Sequence, residues 1–504
     1  MTSSPTSTAA PGPSFSPAAC TTSAFGELTP YIRHASSSTL AELLAANHES
    51  HHCFFNTRGM HNHSLHQLVA DLTLGGSPEQ LQRHYAYQIQ HYLGQFSLND
   101  RSRYDPYSPS DGGKGIQKVT EANWREHVGN ARYYWSYLHF FDAQVQQRGL
   151  LSVLDRFVFS REANEEGVHM MLRFYGGVLH ALIHFGYALE MRLPGIAAEA
   201  LAMATSTAAG HAWLFDYQWV FHPPPPSKGG TKGLLELVRE MQRDKRLSVE
   251  ALGLKEEEAA LPDTPFATRE GSGFGVIQEY VDRWAAVQLG KEGEEEAMGE
   301  LALLSGLLLG SVPKQTDGVA YMHDFFLMHL NNAHLFTPLY LHLFSSSSSS
   351  AHLSRAFLRA LVAQFLYYYI ARGRPALSLA NFHDAEHDGH PPALSWETMF
   401  AQARDNVDEH LPKAVRALYV FEARYSGLQS KLRGSGLFDD DDDDDNDNDK
   451  GRGDGESIWR MTATQLVRMH RGELQTSRYA SQEQRRNGES VGAHQEFWSF
   501  NPFF

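Results

Sequence analysis

The sequence feature that most constrains the fold is a long apolar stretch at residues 174–191, which reads FYGGVLHALIHFGYALEM. Its side chains are apolar or small nearly all round, and a helix of that kind lies buried inside a sizeable domain. His180 and His184 are one helical turn apart in it, and Tyr187 and Met191 continue the same stripe. Buried imidazoles need partners, because an unpaired polar group in the interior is costly. One interpretation is therefore a pair of core histidines with local hydrogen bonds.

Helical periodicity recurs through most of the 504-residue chain, and strand signals are sparse. We therefore predict an all-α fold, a single large helical domain with a buried histidine-rich cavity and disordered loop insertions. Residues 1–23 are mostly Ser, Thr, Pro and Ala, which predicts a disordered tail before a helical domain at residues 24–504. The acidic run at about 439–453 is predicted to be a disordered insert.

Composition excludes several classes of partner. The formal net charge of −16 at pH 7 argues against nucleic acid, because its phosphates would be repelled. No segment reaches the roughly 18–20 consecutive apolar residues of a membrane helix, and the N-terminus lacks the basic start of a signal peptide. Cys20 and Cys53 cannot form a secreted disulfide framework. We therefore expect a cytoplasmic protein that binds neither nucleic acid nor membrane.

The 27 histidines are the unusual number in the composition, and many have apolar neighbours. Four segments predicted to be buried helices carry His63, His180, His323 and His410. Helical bundles build metal sites from ligands that project inward from several facing helices. Sets of histidine and carboxylate with an open position suit non-haem iron, whereas paired thiolates favour zinc or iron–sulfur clusters. The residues alone leave two interpretations open, a shared metal site and several hydrogen-bonded core histidines.

Five ordered blocks of sequence resemble a known family: GMHNHSLHQLVADLTLGG, LHALIHFGYALE, HDFFLMHL, YIARGRP and DEHLPKAVRAL. They resemble the questin oxidase-like proteins of filamentous fungi, over roughly residues 54–425. The resemblance implies an oxidoreductase of secondary metabolism that opens an anthraquinone-type polyketide ring with dioxygen, in a Baeyer–Villiger-like or dioxygenase-like reaction. It also implies NADPH for some members. For a ring-cleaving relative it implies a non-haem Fe(II) centre of several histidines and a carboxylated lysine.

Carried over block by block, the resemblance implies these metal ligands: His63, His180, His323, His410 and Lys413. A second set is expected around the ligands or facing the substrate: His61, His66, His184 and His329. As catalytic residues we predict three side chains able to exchange protons near the site: His184, Tyr187 and Asp324.

Lys413 also has a physical logic of its own. A charged ammonium on a buried helix is costly, so the pKa of the lysine falls and a neutral amine becomes available. A neutral amine can add carbon dioxide to form a carbamate, which offers oxygen ligands as a carboxylate does. From the residues alone, a lysine that snorkels to the surface or pairs with Asp408 or Glu409 is the favoured interpretation. The carbamate depends on the family resemblance.

Three hypotheses from different classes follow. The leading one is the oxygen-using, ring-opening oxidoreductase with a histidine-rich non-haem iron site and a small aromatic polyketide as substrate. The second is a metal-free NADPH-dependent monooxygenase, in which an electron-rich hydroquinone reacts with oxygen directly. The third is a non-catalytic helical accessory protein that has kept its histidines as core. Metal analysis separates the first from the other two, and NADPH consumption with an anthraquinone separates the second from the third.

Overall fold

The described part of the protein is mainly α-helical, which confirms the predicted fold class. The computed structural model describes residues 14–104, 116–209, 216–222, 232–254, 274–284, 290–311, 314–316, 319–347, 350–377, 393–430, 432, 457–471 and 498–499. The acidic run at 439–453 lies outside these described residues. Within them, the buried apolar side chains form one continuous core. No helix in the described ranges combines the length and the apolar character that crossing a membrane requires.

The helices of the described residues are joined by short and long connections in both halves of the chain. In chain order they are α1 (His34–Ser50), α2 (Ser64–Thr73), α3 (Pro78–Gln88), α4 (Arg101–Tyr104), α5 (Tyr134–Arg148), α6 (Leu150–Leu154), α7 (Met170–Met191), α8 (Pro194–Ser206), α9 (Tyr217–Phe221), α10 (Leu234–Arg243), α11 (Val249–Leu252), α12 (Phe274–Arg283), α13 (Gly290–Gly310), α14 (Phe325–Leu335), α15 (Thr337–Ser345), α16 (Ala351–Ala371), α17 (Trp396–Asp405), α18 (His410–Tyr425) and α19 (Ile458–His470). Two π-helical turns, Ile89–Leu93 and Asp155–Phe159, extend α3 and α6.

A small sheet lies beside the helices. Its strands are β1 (Lys314–Thr316), β2 (Val319–Asp324) and β3 (Trp498–Ser499), in that order across the sheet. β1 and β2 are antiparallel with an irregular register, and β2 pairs in parallel with β3 so that His323 lies opposite Trp498. The segment before α14 is therefore a strand.

Local capping determines where several helices begin. Ser77 and Gln80 form a reciprocal capping box at the start of α3. Asp324 caps α14, because its carboxylate accepts hydrogen bonds from the backbone N–H groups of the second and third helical residues. His323 consequently lies before this helix, at the end of β2.

Four helices enclose the region in which the histidines meet. α2 packs against α7 and α18, and α14 packs against the same two helices. α8 covers α7 from another side, and α5 packs against α8. The four enclosing helices are α2, α7, α14 and α18, and each packs against two others of the four. This packing brings four distant parts of the sequence to one place in the interior.

α7 is not the continuous helix that its sequence predicts. The backbone leaves the helical conformation at Gly176 and is left-handed at Gly177, Val178 (φ 56°) and Leu179 (φ 64°). A left-handed conformation costs roughly 1–2 kcal/mol for a residue that has a Cβ atom, and a β-branched residue adopts it only rarely. Regular helix resumes at His180, so that histidine is the first residue of the second part of α7.

The prediction of a disordered tail over residues 1–23 is wrong for residues 14–23. Phe15 packs against α8, Cys20 is fully buried within a 3-10 turn, and the Ser23 hydroxyl donates to the buried carboxylate of Glu190 over 2.6 Å. Phe15, Cys20 and Phe25 are isolated apolar residues among Ser, Thr and Pro. They contact the core one at a time, which leaves no hydrophobic periodicity in the sequence.

Candidate functional site

Four buried histidines from four helices meet at one place, which we call the histidine centre: His63, His180, His329 and His410. The ring centroids are 4.8 Å apart for His63 and His180, 4.9 Å for His63 and His410, and 4.8 Å for His180 and His329. Nε2 of His63 lies 2.6 Å from Nε2 of His180. One ring nitrogen from each of His63, His180 and His329 lies within 4.8 Å of the other two, which is compatible with binding one metal ion.

Helix starts position three of the four side chains. His63 is the residue before α2, His410 is the first residue of α18, and His180 follows the left-handed turn in α7. His329 lies in the second turn of α14. The centre is therefore built from residues at which the chain enters a helix, and the backbone conformation there decides where each ring points.

Backbone carbonyl groups orient two of the imidazole rings. Nδ1 of His180 donates a hydrogen bond to the carbonyl oxygen of Gly177, and Nδ1 of His329 donates to that of Phe325 over 2.8 Å. A proton on Nδ1 leaves Nε2 with a lone pair. Among the described residues, Nε2 of His329 is buried without a hydrogen-bond partner. Metal-binding histidines commonly have this arrangement, in which the outer ring nitrogen donates to a carbonyl group.

Three rings of the centre, those of His63, His180 and His329, have a lowered pKa. Burial lowers the pKa of His63, His180 and His329 well below the usual range, and positive charge on neighbouring imidazoles or on Lys413 lowers it further. The neutral imidazole is the form that binds a metal ion. The electrostatics of the site therefore favour the neutral form of these three rings.

A carboxylate and a lysine complete the surroundings. Oε1 of Glu409 lies 3.2 Å from Nδ1 of His63, and burial raises the pKa of Glu409 to about 7. Lys413 is fully buried, and its Nζ has no hydrogen-bond partner among the described residues. Burial lowers the pKa of Lys413 to about 8, although the nearby carboxylates of Glu409 and Asp408 oppose the shift. The lowered pKa raises the fraction of Lys413 that is a neutral amine near neutral pH.

His323, predicted as a ligand, does not belong to this centre. It lies on β2, and its Nδ1 donates a hydrogen bond to the carbonyl oxygen of Leu309 over 2.7 Å. Burial lowers the pKa of His323, and positive charge on His470, which is outside the centre, lowers it further. No candidate ligand group among the described residues includes it. His329, from the same sequence block, lies in the centre instead. Asp324, which follows His323, is a residue type that strongly favours the N-cap position. It could have indicated that the helix starts after His323 and includes His329.

Asp324, predicted to exchange protons at the site, has a structural environment. One of its oxygens caps α14, and the other accepts hydrogen bonds from the buried guanidinium of Arg372, at 2.8 Å from Nε. Both atoms are therefore occupied by contacts that hold the start of α14 to α16. These contacts give no support to a catalytic role for Asp324.

The other two predicted catalytic residues lie next to the centre. Tyr187 stacks on His66 with ring centroids 5.0 Å apart, and its buried hydroxyl has no hydrogen-bond partner among the described residues. His184 lies 3.1 Å from His66, measured from Nδ1 to Nε2. His61 stacks face to face on His180, with centroids 4.2 Å apart. His61, His66 and His184, which were expected around the ligands, thus form a second layer of rings together with Tyr187.

Sequence reasoning missed four acidic or basic groups around the site. Glu409 lies against the centre, and three others continue outward from His184: Glu199, His48 and Asp142. The last three come from different helices that are far apart in the sequence, so no local spacing connects them. Glu199 alone carried a usable signal, because it is the one charged residue in the sequence of the otherwise apolar α8.

Comparison with known proteins places the chain among fungal oxidases. A family model described as questin oxidase-like matches residues 60–418. The Baeyer–Villiger oxidase AgnL3 of Paecilomyces divaricatus is 30% identical over 401 residues, which cover 76% of this chain and 78% of that protein. The questin oxidase of Aspergillus terreus is 28% identical over 387 residues, covering 76% of this chain and 79% of that protein. The Baeyer–Villiger oxidase ptaJ of Pestalotiopsis fici is 28% identical over 391 residues, covering 75% and 79%.

Proposed function

The chain belongs to the questin oxidase-like family, and on that premise we propose that it opens an anthraquinone-type polyketide ring with dioxygen at a non-haem iron site. The names of its relatives support an oxidoreductase of fungal secondary metabolism. The observation that carries the iron site is the meeting of four buried imidazoles from four helices at one place.

The donor set of the centre fits iron. It offers imidazole nitrogens together with carboxylate oxygen, which suits non-haem iron better than the thiolate-rich sets of structural zinc or iron–sulfur clusters. The residues that would hold the ion are His63, His180, His329 and His410, and the unpartnered Nε2 of His329 is the clearest vacant donor. Bound there, ferrous iron would supply the activation of dioxygen.

We also propose that Lys413 is carboxylated. Its amine nitrogen would bond to the carbon of carbon dioxide and release one N–H proton, which gives a carbamate with two oxygen donors. Burial supports this reaction because it raises the fraction of neutral amine. The positive charge of Lys413 is close enough to lower the pKa of His63 and of His329, after burial, so the side chain lies near the centre.

The remaining residues prepare the site. The carbonyl groups of Gly177 and Phe325 fix two rings, and the aromatic ring of Phe325 packs against both His329 and His410, with centroids 4.6 Å and 4.9 Å away. Burial excludes bulk water and lowers the pKa of His63, His180 and His329. His66 and Tyr187 lie beside the ligands as groups that would contact a flat aromatic substrate or exchange protons with it.

The source of electrons depends on how many oxygen atoms enter the product. If one atom is inserted, the other leaves as water, which consumes two electrons and two protons. NADPH, or the hydroquinone form of the substrate, would supply those electrons. If both atoms are inserted, no external donor is needed. A labelling experiment with isotopic dioxygen therefore decides between a Baeyer–Villiger-like and a dioxygenase-like reaction.

The decisive experiment combines metal analysis with turnover. Protein purified without chelators or a histidine tag is analysed for bound metals and then given questin, the substrate that one relative is named for, under isotopic dioxygen. We expect about one iron ion per chain, because the two candidate ligand groups share His63, and oxygen uptake that a chelator abolishes. Full turnover by iron-free protein with NADPH would instead establish the metal-free monooxygenase. Absence of both iron and turnover would support the accessory protein.

A further inference from the structure

A continuous line of hydrogen bonds runs from the surface to His66, a ring beside the histidine centre. It connects the side chains of five residues on five helices: Asp142 (α5), His48 (α1), Glu199 (α8), His184 (α7) and His66 (α2). The successive distances are 3.2 Å from Asp142 Oδ2 to His48 Nε2, 2.7 Å from His48 Nδ1 to Glu199 Oε1, 2.8 Å from Glu199 Oε2 to His184 Nε2, and 3.1 Å from His184 Nδ1 to His66 Nε2.

The two ends of the line differ in their environment. The side chain of Asp142 is 25% exposed and that of His48 12%, whereas Glu199 and His184 are 3% and 4% exposed. At the inner end, the ring of His66 lies 5.8 Å from that of His63 and 6.1 Å from that of His180. The hydrogen bonds therefore join solvent to His66, whose ring packs beside two of the proposed ligands.

Stability alone is a weak explanation for these groups. A buried ion network is often no better than apolar residues of similar volume, because removing charges from water is costly. Glu199 lies in an otherwise apolar helix, where a leucine would pack without that cost. The two carboxylate oxygens of Glu199 bond to different members of the line, one to His48 and the other to His184. The two ring nitrogens of His48, and those of His184, likewise each contact a different member. Each of these groups can therefore receive a proton at one atom and release one at another.

We propose that Asp142, His48, Glu199 and His184 form a path along which protons move between the surface and His66, beside the histidine centre. The path rests on the proposed function in one respect, since ring opening with one inserted oxygen atom consumes protons inside a buried site. The hydrogen-bonded geometry itself does not depend on the reaction.

One inward transfer balances as follows. His48 carries a proton on both ring nitrogens and releases the one on Nδ1 to Glu199. Its ring then turns, and the bare nitrogen takes up a proton that solvent delivers through Asp142. The carboxyl group of Glu199 turns about its Cγ–Cδ bond and gives this proton to Nε2 of His184, whose Nδ1 proton passes to His66. At each step one O–H or N–H bond forms and one breaks, and no electrons are transferred.

The first test compares two isosteric substitutions with matched controls. Glu199→Gln and His48→Gln keep the shape of the line but interrupt proton transfer. The buried pair of Asp71 and His84, 2.7 Å apart, has similar chemistry outside the line, so Asp71→Asn and His84→Gln are the controls. With questin as the probe, we expect kcat to fall by about 10-fold or more in the two path variants. We expect KM to stay the same and the solvent deuterium isotope effect to rise.

The second test uses the exposed end of the path and small buffers. Asp142→Asn, at a partly exposed position, should lower kcat as well. In His48→Ala, imidazole and related amines should restore kcat in an order that follows their pKa values, which a loss of packing alone would not produce. If Glu199→Gln and His48→Gln keep kcat and the isotope effect of the wild type, or if the controls lose as much, the path is refuted.

A third measurement needs no turnover. In protein with isotopically labelled histidines, nuclear magnetic resonance reports how fast ring N–H protons exchange with water. We expect faster exchange at His184 than at His334, which is equally buried but bonded to other groups, and slow exchange at His184 in Glu199→Gln. Equal rates at the two histidines in the wild type would overturn the path. This exchange measurement does not require questin oxidation. It therefore still tests the proton path if the proposed function is wrong.

Discussion

Two kinds of buried histidine occur in this protein, and they differ in where their ring nitrogens point. His52 and His334 are as buried as the histidine centre, but both ring nitrogens of each bond to nearby backbone or hydroxyl groups. Burial lowers the pKa of His52 to about 4 and that of His334 to about 3. A low pKa therefore does not identify a ligand. In the centre, one nitrogen of His180 or His329 bonds to the backbone and the other faces neighbouring imidazoles.

The largest expected effect separates these two kinds directly. His329→Gln removes a donor of the proposed iron site, and we expect loss of bound iron and a decrease in kcat/KM of about 100-fold or more. His334→Gln removes only local hydrogen bonds, so it should keep its iron and lose roughly 1–3 kcal/mol of unfolding free energy. Metal analysis, turnover and chemical denaturation measure the three quantities.

His323→Gln is the matching control within the same sequence block. We expect this variant to retain iron, because His323 bonds to the backbone on β2, away from the centre. If His323→Gln lost its iron while His329→Gln kept it, the assignment of His329 to the proposed iron site would be wrong.

Substitution of Lys413 tests whether the centre needs an oxygen donor from the lysine. Lys413→Ala should lose iron, Lys413→Glu should recover part of it, and Lys413→Met should lose iron yet unfold at a higher temperature, since a buried amine is costly. In the wild type, iron content should fall after dialysis in carbon dioxide-free buffer and recover with bicarbonate. Undiminished iron in Lys413→Ala would contradict carboxylation.

A smaller effect concerns the left-handed turn that aims His180. Gly177 has φ +53°, and a Cβ atom there would lie 2.9 Å from Cε1 of His61, which stacks on His180. Gly177→Ala should cost about 1 kcal/mol of unfolding free energy for the backbone, with a further loss and weaker iron binding from the displaced ring. Gly167→Ala is the control, because its φ of +82° is similar in sign but nothing lies within 4 Å. Equal effects on iron binding would exclude a role for the turn in positioning.

The smallest effect is a pH dependence outside the centre. Burial alone would lower the pKa of His48, but hydrogen bonds with Asp142 and Glu199 outweigh it and raise the pKa from 6.5 to about 10. A raised pKa in the folded state adds stability below about pH 6.5, and this stability is lost as the pH rises through 10. The Tm difference between wild type and His48→Gln should therefore shrink by a few degrees from pH 6.5 to pH 10.5. A constant difference would contradict a charged His48.

The helical fold was predictable because the chain repeats an apolar, helix-period pattern in almost every segment. Features set by single residues were not. Phe15 and Cys20 anchor an N-terminal segment that has no periodicity, so composition suggested disorder where there is packing. Gly176 and Gly177 were visible in the sequence, but a left-handed turn that includes Val178 requires tertiary contacts to stabilise it.

The candidate site was predictable to the extent that one residue per block could be chosen. His63, His180 and His410 meet as expected, because each lies in a segment whose neighbours are all core. His323 and His329 are both in an apolar block, and only the capping role of Asp324 distinguishes the strand from the helix. The line through Glu199 and His48 depends on contacts between helices far apart in the sequence, which spacing does not encode.

The placement of three ligands at helix starts has an electrostatic consequence. Peptide dipoles add along a helix and leave a partial positive charge of roughly half a unit at its N-terminus. The starts of α2, α18 and the second part of α7 all lie at the centre, so the backbone alone creates a positive potential there. This potential opposes protonation of the imidazoles and stabilises anions, among them Glu409, a carbamate on Lys413 or a phenolate of the substrate. The scaffold thus favours negative charge at the one buried place where oxygen chemistry would generate it.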